Sequence, residues 1–326
     1  MEQVAIPYSG TLLVSHLAAY GLAFVLDDAG IDAFVGHDGA SQSFEPVVMF
    51  DADPDAAHAA IRASATQAED WVEHDVQPGM TGNDRRATIW ARASLERESE
   101  RLAQLVGLRA GLVQQADLAP SGVASALLAG LGTPAAWGTE RMKTPSGATA
   151  LDGVLGNHTS DFVRGVLRTT RRAAAALDPD PFELDALDEI PFDKTGWSPP
   201  GTRVAYAHQW LAALGLGLLP VAHRPLKRSA TPACWRRGRD EGWRSGVTLP
   251  LLDAPVSVPR LRALLALEAL PAITSGAVNE GDAAVAAAEL RGLGIDEVVV
   301  FERRDRSGAG SSVAFDFQRG RLVALR

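Results

Sequence analysis

The chain has one cysteine, Cys234, in 326 residues. A lone cysteine excludes an internal disulfide framework and a zinc site built on several thiolates, and it suits a reducing compartment. Lysine is nearly as scarce. Lys143, Lys194 and Lys227 are the only three among 31 Lys+Arg, so arginine carries the positive charge. Arginine forks onto phosphate oxygens and stacks on planar groups, although coding bias in an Ala/Arg-rich proteome gives the same composition. The sequence has no P-loop, no GxGxxG, no GxSxG and no HExxH, and so lacks the usual short signatures of nucleotide binding, serine hydrolysis or zinc proteolysis. No apolar run has the length of a membrane span. The stretch Leu12 to Leu26 is too short, contains His16 and ends in Asp27-Asp28. The opening Met-Glu-Gln-Val-Ala-Ile-Pro lacks the basic start and apolar run of a signal peptide. The expectation is a cytoplasmic protein with no membrane partner, no cofactor and no metal.

What is present is ample apolar material, 46% of residues, with a formal net charge of -9. That composition supports packed cores and argues against general disorder. Apolar residues at helical spacing predict a helix from Gly10 to about Asp28, after a strand at Val4–Tyr8. Short strands follow at Ala33–Val35 and Pro46–Phe50. Asp53-Pro54 opens a second helix that runs to about Trp71, with Pro54 at the first helical position. Residues 75–92 read as a loop leading into a strand, and Ser94–Leu108, Ser121–Leu131 and Ser160–Leu177 as helices. Residues 178–201 hold five prolines and seven Asp/Glu and read as an acidic linker. Further helices are expected at Val204–Leu218, Val258–Leu270 and Ala283–Leu293. Strands are expected at Gly246–Leu252, Glu297–Arg303, Ser311–Gln318 and Leu322–Leu325. No internal repeat stands out. The fold class is α+β, helix-rich, in two portions with short strands: residues 1–190 and 191–326.

Seven histidines are available: His16, His37, His58, His74, His158, His208 and His223. None pairs with another histidine or an acid at a metal-binding spacing. His16 and His208 lie in apolar helices and read as core or interface residues. The carboxylates of 178–190 lack the glycine-punctuated calcium-loop pattern.

Against the acidic average, residues 223–244 turn basic. Arg224, Lys227, Arg228, Arg236, Arg237, Arg239 and Arg244 face only Asp240 and Glu241, with Trp235 and Trp243 interleaved. Cations attract phosphates and indoles stack on bases. Other basic clusters are Arg85-Arg86, residues 141–143 around Lys143, and the helix carrying Arg164, Arg168, Arg171 and Arg172 on one side. A fifth, Arg303–Arg306, sits at the start of a Gly/Ser-rich connection that reads as an ordinary hairpin loop. Each cluster alone is a solvated face; several in an acidic chain suggest one side kept positive. The candidate nucleic-acid-binding residues are Arg85, Arg86, Lys143, Arg164, Arg168, Arg171, Arg172, Lys227, Arg228, Trp235, Arg236, Arg237, Trp243 and Arg244.

Four stretches carry a family likeness. They are Ile6-Pro7 with Leu17-Ala18-Ala19-Tyr20-Gly21-Leu22-Ala23; Leu127 to Trp137; Met142-Lys143-Thr144 leading to Asp161-Phe162-Val163-Arg164; and Trp210-Leu211-Ala212-Ala213-Leu214-Gly215-Leu216 through Leu219-Pro220-Val221. Together they resemble the large-subunit proteins of type I CRISPR interference complexes (Cascade), in the subtype U/G group. The resemblance implies a non-enzymatic subunit that contacts crRNA and target DNA, inspects the protospacer-adjacent motif and sits among other CRISPR-associated subunits. Lys143 and Arg164 are the matched basic positions. In such complexes base pairing reads sequence while protein reads backbone and a short duplex motif. The chain is short for a large subunit and acidic overall. It shows no match to the Gly-rich loop and active-site histidine of crRNA-processing endonucleases. Two other classes remain open at this point: a metabolic enzyme with a pocket between the two portions, and a protein-interaction module.

Overall fold

In the computed structural model, residues 2–6, 9–38, 44–67, 111, 114–119, 121–123, 125, 170–177, 199, 202, 204–219, 234–237, 244–274, 280–306 and 314–325 are described. The class is α+β, as expected, with two antiparallel sheets.

The first sheet is built from β1 (Glu2–Ala5), β2 (Ala33–His37) and β3 (Pro46–Phe50), in the order β1-β3-β2. β3 is the centre: Val48 pairs with Val4 on one side and Val35 on the other. Between β1 and β2 runs α1 (Leu13–Asp28), and after β3 comes α2 (Pro54–Gln67). This β-α-β-β-α order, with β3 between β1 and β2, is that of the opening elements of a ferredoxin-like unit.

α1 is apolar on every side, and thirteen of its sixteen residues are buried. A helix of that kind must be covered all round. The sheet covers one face, α2 flanks it, and α3 (Tyr206–Leu216) packs along another. The crossing of α1 and α3 brings backbone against backbone. A Cβ placed on Gly21 would lie 1.8 Å from the Leu211 carbonyl oxygen, and one on Gly215 would lie 2.0 Å from that of Leu17. The two helices meet through the same order of residues, Leu17-Ala-Ala-Tyr-Gly21 and Leu211-Ala-Ala-Leu-Gly215. Glycine in a helix interior costs roughly 0.5–1 kcal/mol relative to alanine; here it permits the close approach. Beside the crossing, buried Trp210 donates its indole N–H to Ser64 Oγ of α2 at 3.0 Å.

The second sheet runs β4 (Cys234–Arg237), β5 (Arg244–Pro250), β7 (Glu297–Arg306), β8 (Ala314–Phe317), with β9 (Arg321–Ala324) also along β7. α4 (Val258–Leu265), α5 (Ala269–Ala272) and α6 (Glu280–Gly292) connect β5 to β7. The single helix expected over 258–270 is broken at 266–268, just before Pro271, which lacks the N–H needed to continue a helix. β4 falls within the basic segment, where no strand was expected.

β6 (Val256–Ser257) adds to the first sheet beside β2, with Phe34 opposite Ser257. Gly320 donates its backbone N–H to the Thr11 carbonyl at 2.7 Å. One continuous buried cluster includes Leu17 and Phe50 as well as Trp210, Val247 and Phe301.

Candidate nucleic-acid interface

Strand pairing decides which arginines come together. β4 and β5 pair with Cys234 opposite Val247, Trp235 opposite Gly246, Arg236 opposite Ser245 and Arg237 opposite Arg244. β5 and β7 pair with Val247 opposite Phe301 and Ser245 opposite Arg303. β7 and β8 pair Arg303 with Phe317, Arg304 with Asp316 and Arg306 with Ala314. Read across the sheet, a buried apolar row, Val247 and Phe301, gives way to rows rich in arginine. One row is Arg236, Ser245, Arg303, Phe317. Beyond it, Arg237 stands opposite Arg244 on β4 and β5, and Arg304 opposite Asp316 on β7 and β8. Along β7 exposure rises in the same direction: Phe301 is buried, Glu302 and Arg303 are half-buried, and Arg304 is exposed.

Residues directly opposite on paired strands share a face, and successive residues alternate faces. Arg303 and Arg304 therefore belong to opposite faces. Residues 236–237 and 244 on one side and 303–306 on the other, about sixty residues apart in sequence, meet at one end of one sheet. Arg303–Arg306 were expected to begin a hairpin loop. They are instead the last residues of β7, because pairing with β8 extends that strand to Arg306.

The remaining candidates separate into two groups. Arg171 and Arg172 lie in the helical residues 170–175, where Arg171 is buried at 4% exposure and Arg172 is exposed. The two neighbours therefore do not form one surface. Arg85, Arg86, Lys143, Arg164, Arg168, Lys227, Arg228 and Trp243 lie outside the described residues. Trp235 is on β4, one position before the arginine pair.

A second polar constellation lies inside the molecule and was not anticipated. His16 on α1 and His37 at the end of β2 meet, with His37 Nε2 3.2 Å from His16 Nδ1. The Gly10 carbonyl oxygen, 2.6 Å from His16 Nε2, can only accept, so His16 Nε2 carries the hydrogen. His16 Nδ1 is then the acceptor and His37 Nε2–H the donor. His37 Nδ1 in turn accepts the Leu252 backbone N–H at 3.0 Å. All four ring nitrogens are used, in one direction, by two neutral imidazoles. Burial lowers the His16 pKa to about 4 and holds His37 well below its ordinary value, with the neighbouring ring adding to the second shift. Phe301 of β7 stands edge-on to His16 at 5.3 Å. The pair joins the turn before α1, the end of β2 and the chain leaving β5. The sequence reading concerned metal-binding spacings, and this contact between residues 21 apart is of a different kind. A usable signal was the period of two in β2, which places His37 with buried Ala33 and Val35. With every ring nitrogen engaged, this is a clasp, without a lone pair left for a metal or a substrate.

A cleft of about 100 Å³ lies beside α1 and α2, with Asp28, Ser64 and Ser121 in its lining. It is smaller than the roughly 300 Å³ at which small-molecule sites begin. Three of its polar side chains are engaged: Asp28 accepts from Ser121 Oγ at 2.7 Å and from the Gly122 N–H at 2.6 Å, and Ser64 Oγ accepts from the Trp210 indole. Among the described residues no group of three or more His, Cys, Asp or Glu could hold a metal ion. Among them, too, no helix is long and apolar enough to cross a membrane. No protein-family model matches the chain, and no curated protein matches it significantly.

Proposed function

We propose that the chain is a non-catalytic nucleic-acid-binding subunit of a crRNA-guided surveillance complex, contacting crRNA and target DNA alongside other CRISPR-associated subunits. The observation that supports it best is the meeting of two distant basic segments at one end of the second sheet. Arginines there neutralise phosphates. The acidic remainder suits contact with neighbouring subunits. Protospacer-adjacent-motif inspection is the finer part of this reading, and it follows from the family resemblance.

The test is coexpression with the genomic neighbours, recording nucleic-acid content and the length of any bound RNA. A discrete short RNA with several co-purifying proteins supports the reading. An RNA-free monomer from a proven coexpression overturns it. The double variant Arg236→Glu/Arg237→Glu is expected to stay folded and to weaken target-DNA binding; normal binding by that variant removes this sheet end from the interface.

A further inference from the structure

We propose that Arg319, together with the hydroxyls of Ser9 and Thr11, forms a seat for one phosphate group. The seat uses none of the arginines described above. It rests on the nucleic-acid reading only for the source of the phosphate, which is then a backbone phosphate of a bound strand; a free phosphate offers the same oxygens.

The first half of the seat comes from a break in the edge of the second sheet. β8 and β9 both run along the side of β7 that faces away from β5. Between them the register slips by one. β7 steps three positions, from Arg303 to Val300, while the edge strand steps four, from Phe317 to Arg321. One extra residue on one strand is a β-bulge, which bends the strand and re-aims a side chain. This bulge is pinned on both sides of Arg319. The Gln318 N–H donates to the Glu302 carbonyl at 2.9 Å, and the Gly320 N–H to the Thr11 carbonyl at 2.7 Å. Gly320 lies so close to Phe301 that a Cβ there would stand 2.7 Å from the ring. Arg319 is exposed and donates to Thr11 Oγ1 at 3.3 Å.

The second half is the turn before α1, fixed from inside by the bond of His16 to the Gly10 carbonyl. Ser9 and Thr11 are half-buried, and their hydroxyl oxygens lie 2.9 Å apart. Ser9 Oγ also accepts the Thr11 N–H at 3.3 Å. Two hydroxyls carry two hydrogens. One lies between them, and the other finds no acceptor among the described residues. The guanidinium has five N–H donors. One nitrogen serves Thr11, and among the described residues no carboxylate pairs with Arg319. The first turn of α1 holds no acidic residue either. The corner therefore gathers donors around Thr11 Oγ1 and supplies no anion. A planar carboxylate is satisfied by the arginine fork alone. A tetrahedral phosphate has further oxygens for a hydroxyl arriving from another direction.

The experiment uses the purified full chain and two probes at pH 7.5. Inorganic phosphate is compared with KCl at equal ionic strength, reading the thermal midpoint. Labelled oligo-dT is titrated over a range of KCl concentrations. Phosphate is expected to raise the parent's midpoint, because a ligand of the folded state stabilises it. Arg319→Gln and Ser9→Ala should lose that rise. Their midpoints in KCl should stay near the parent's, which a merely structural role would not allow. Arg319→Gln should also flatten the slope of log K against log salt for oligo-dT by about 0.7, the value for one phosphate on a single strand. Arg291→Gln, exposed on α6, should change neither readout. A changed slope assigns the seat to a strand phosphate, and a lost midpoint response alone to a free phosphate; either supports the proposal. Oligo-dT binding and a phosphate response that Arg319→Gln leaves intact overturn it without touching the broader reading. A parent that responds to neither probe also overturns it. An RNA-free coexpressed monomer overturns the broader reading, and the midpoint in inorganic phosphate then still decides the seat.

Discussion

The two sheets treat their ends in opposite ways. Where the first sheet ends, at His37, each polar ring atom is matched to a partner and the chain is tied inward to Gly10, His16 and Leu252. Where the second sheet ends, the apolar rows run on into arginines set opposite one another. One end is settled within the molecule. The other gathers arginines from three strands. The difference contrasts a sheet end tied into the fold with one whose arginines the proposed function would use.

The helix crossing behind the first sheet is the most sensitive point on the settled side. Gly21→Val puts side-chain atoms where the Leu211 carbonyl stands, and a backbone group cannot move aside as a side chain can. The expected loss is about 3 kcal/mol or more, seen as a lowered urea midpoint or failure to fold. A variant with unchanged stability would mean that the two helices do not cross at this closeness.

The histidine clasp comes next. His37→Ala strips the Leu252 N–H of its acceptor and His16 Nδ1 of its donor, at an expected cost of about 2–3 kcal/mol. The same groups set a pH dependence. His16 and His208 titrate near 4 in the folded chain and near 6.5 when unfolded, and His37 is shifted the same way. Between those values the unfolded state binds more protons. Stability is therefore full above about pH 6.5 and falls as the pH drops toward 4, by on the order of 3 kcal/mol for His16 alone. Urea midpoints measured from pH 7.5 down to pH 4.5 check this. The slope should be shallower in His37→Ala, which has lost one of the titrating groups.

Two smaller effects separate the ends further. Trp210→Phe keeps most of the buried ring but leaves Ser64 Oγ without its indole donor, for about 1 kcal/mol. At the other end, Arg244→Gln is expected to stabilise the free protein by a few tenths of a kcal/mol, because it removes a like-charge pair from the ladder. Opposite signs from the two substitutions would confirm that the sheet ends serve different purposes. A loss of stability in Arg244→Gln would show that the arginines are already balanced internally.

Much of the fold was legible because its signals are local. The apolar period of α1, Asp53-Pro54 at the start of α2 and the alternation in β7 need only neighbours in sequence to be read. What escaped depends on partners far along the chain. β4 is a strand because β5 pairs with it, although its Cys-Trp-Arg-Arg sequence reads as part of a basic loop. β7 runs on to Arg306 because β8 supports it. The glycines at 21 and 215 carry the same Leu-Ala-Ala-X-Gly signature, yet a shared pentapeptide does not announce that two helices touch. The histidine pair was hidden for the same reason: 21 residues separate the rings, and only the packing of α1 on β2 brings them together. For the candidate site, the arginines were visible in the sequence, but their arrangement in rows is a property of register.

The union of α1 with α3 also bears on how the protein is made. Thirteen of the sixteen residues of α1 are buried, but the helix that covers them begins at Tyr206, almost 180 residues after α1 ends. Synthesis at about 5–20 residues per second puts α3 roughly ten to forty seconds behind α1. During that interval an apolar helix emerges from the ribosome without its main neighbour. Such long-range pairing slows folding and exposes sticky surface. The yield of this chain in cells thus depends on what shields α1 while the rest is still being translated.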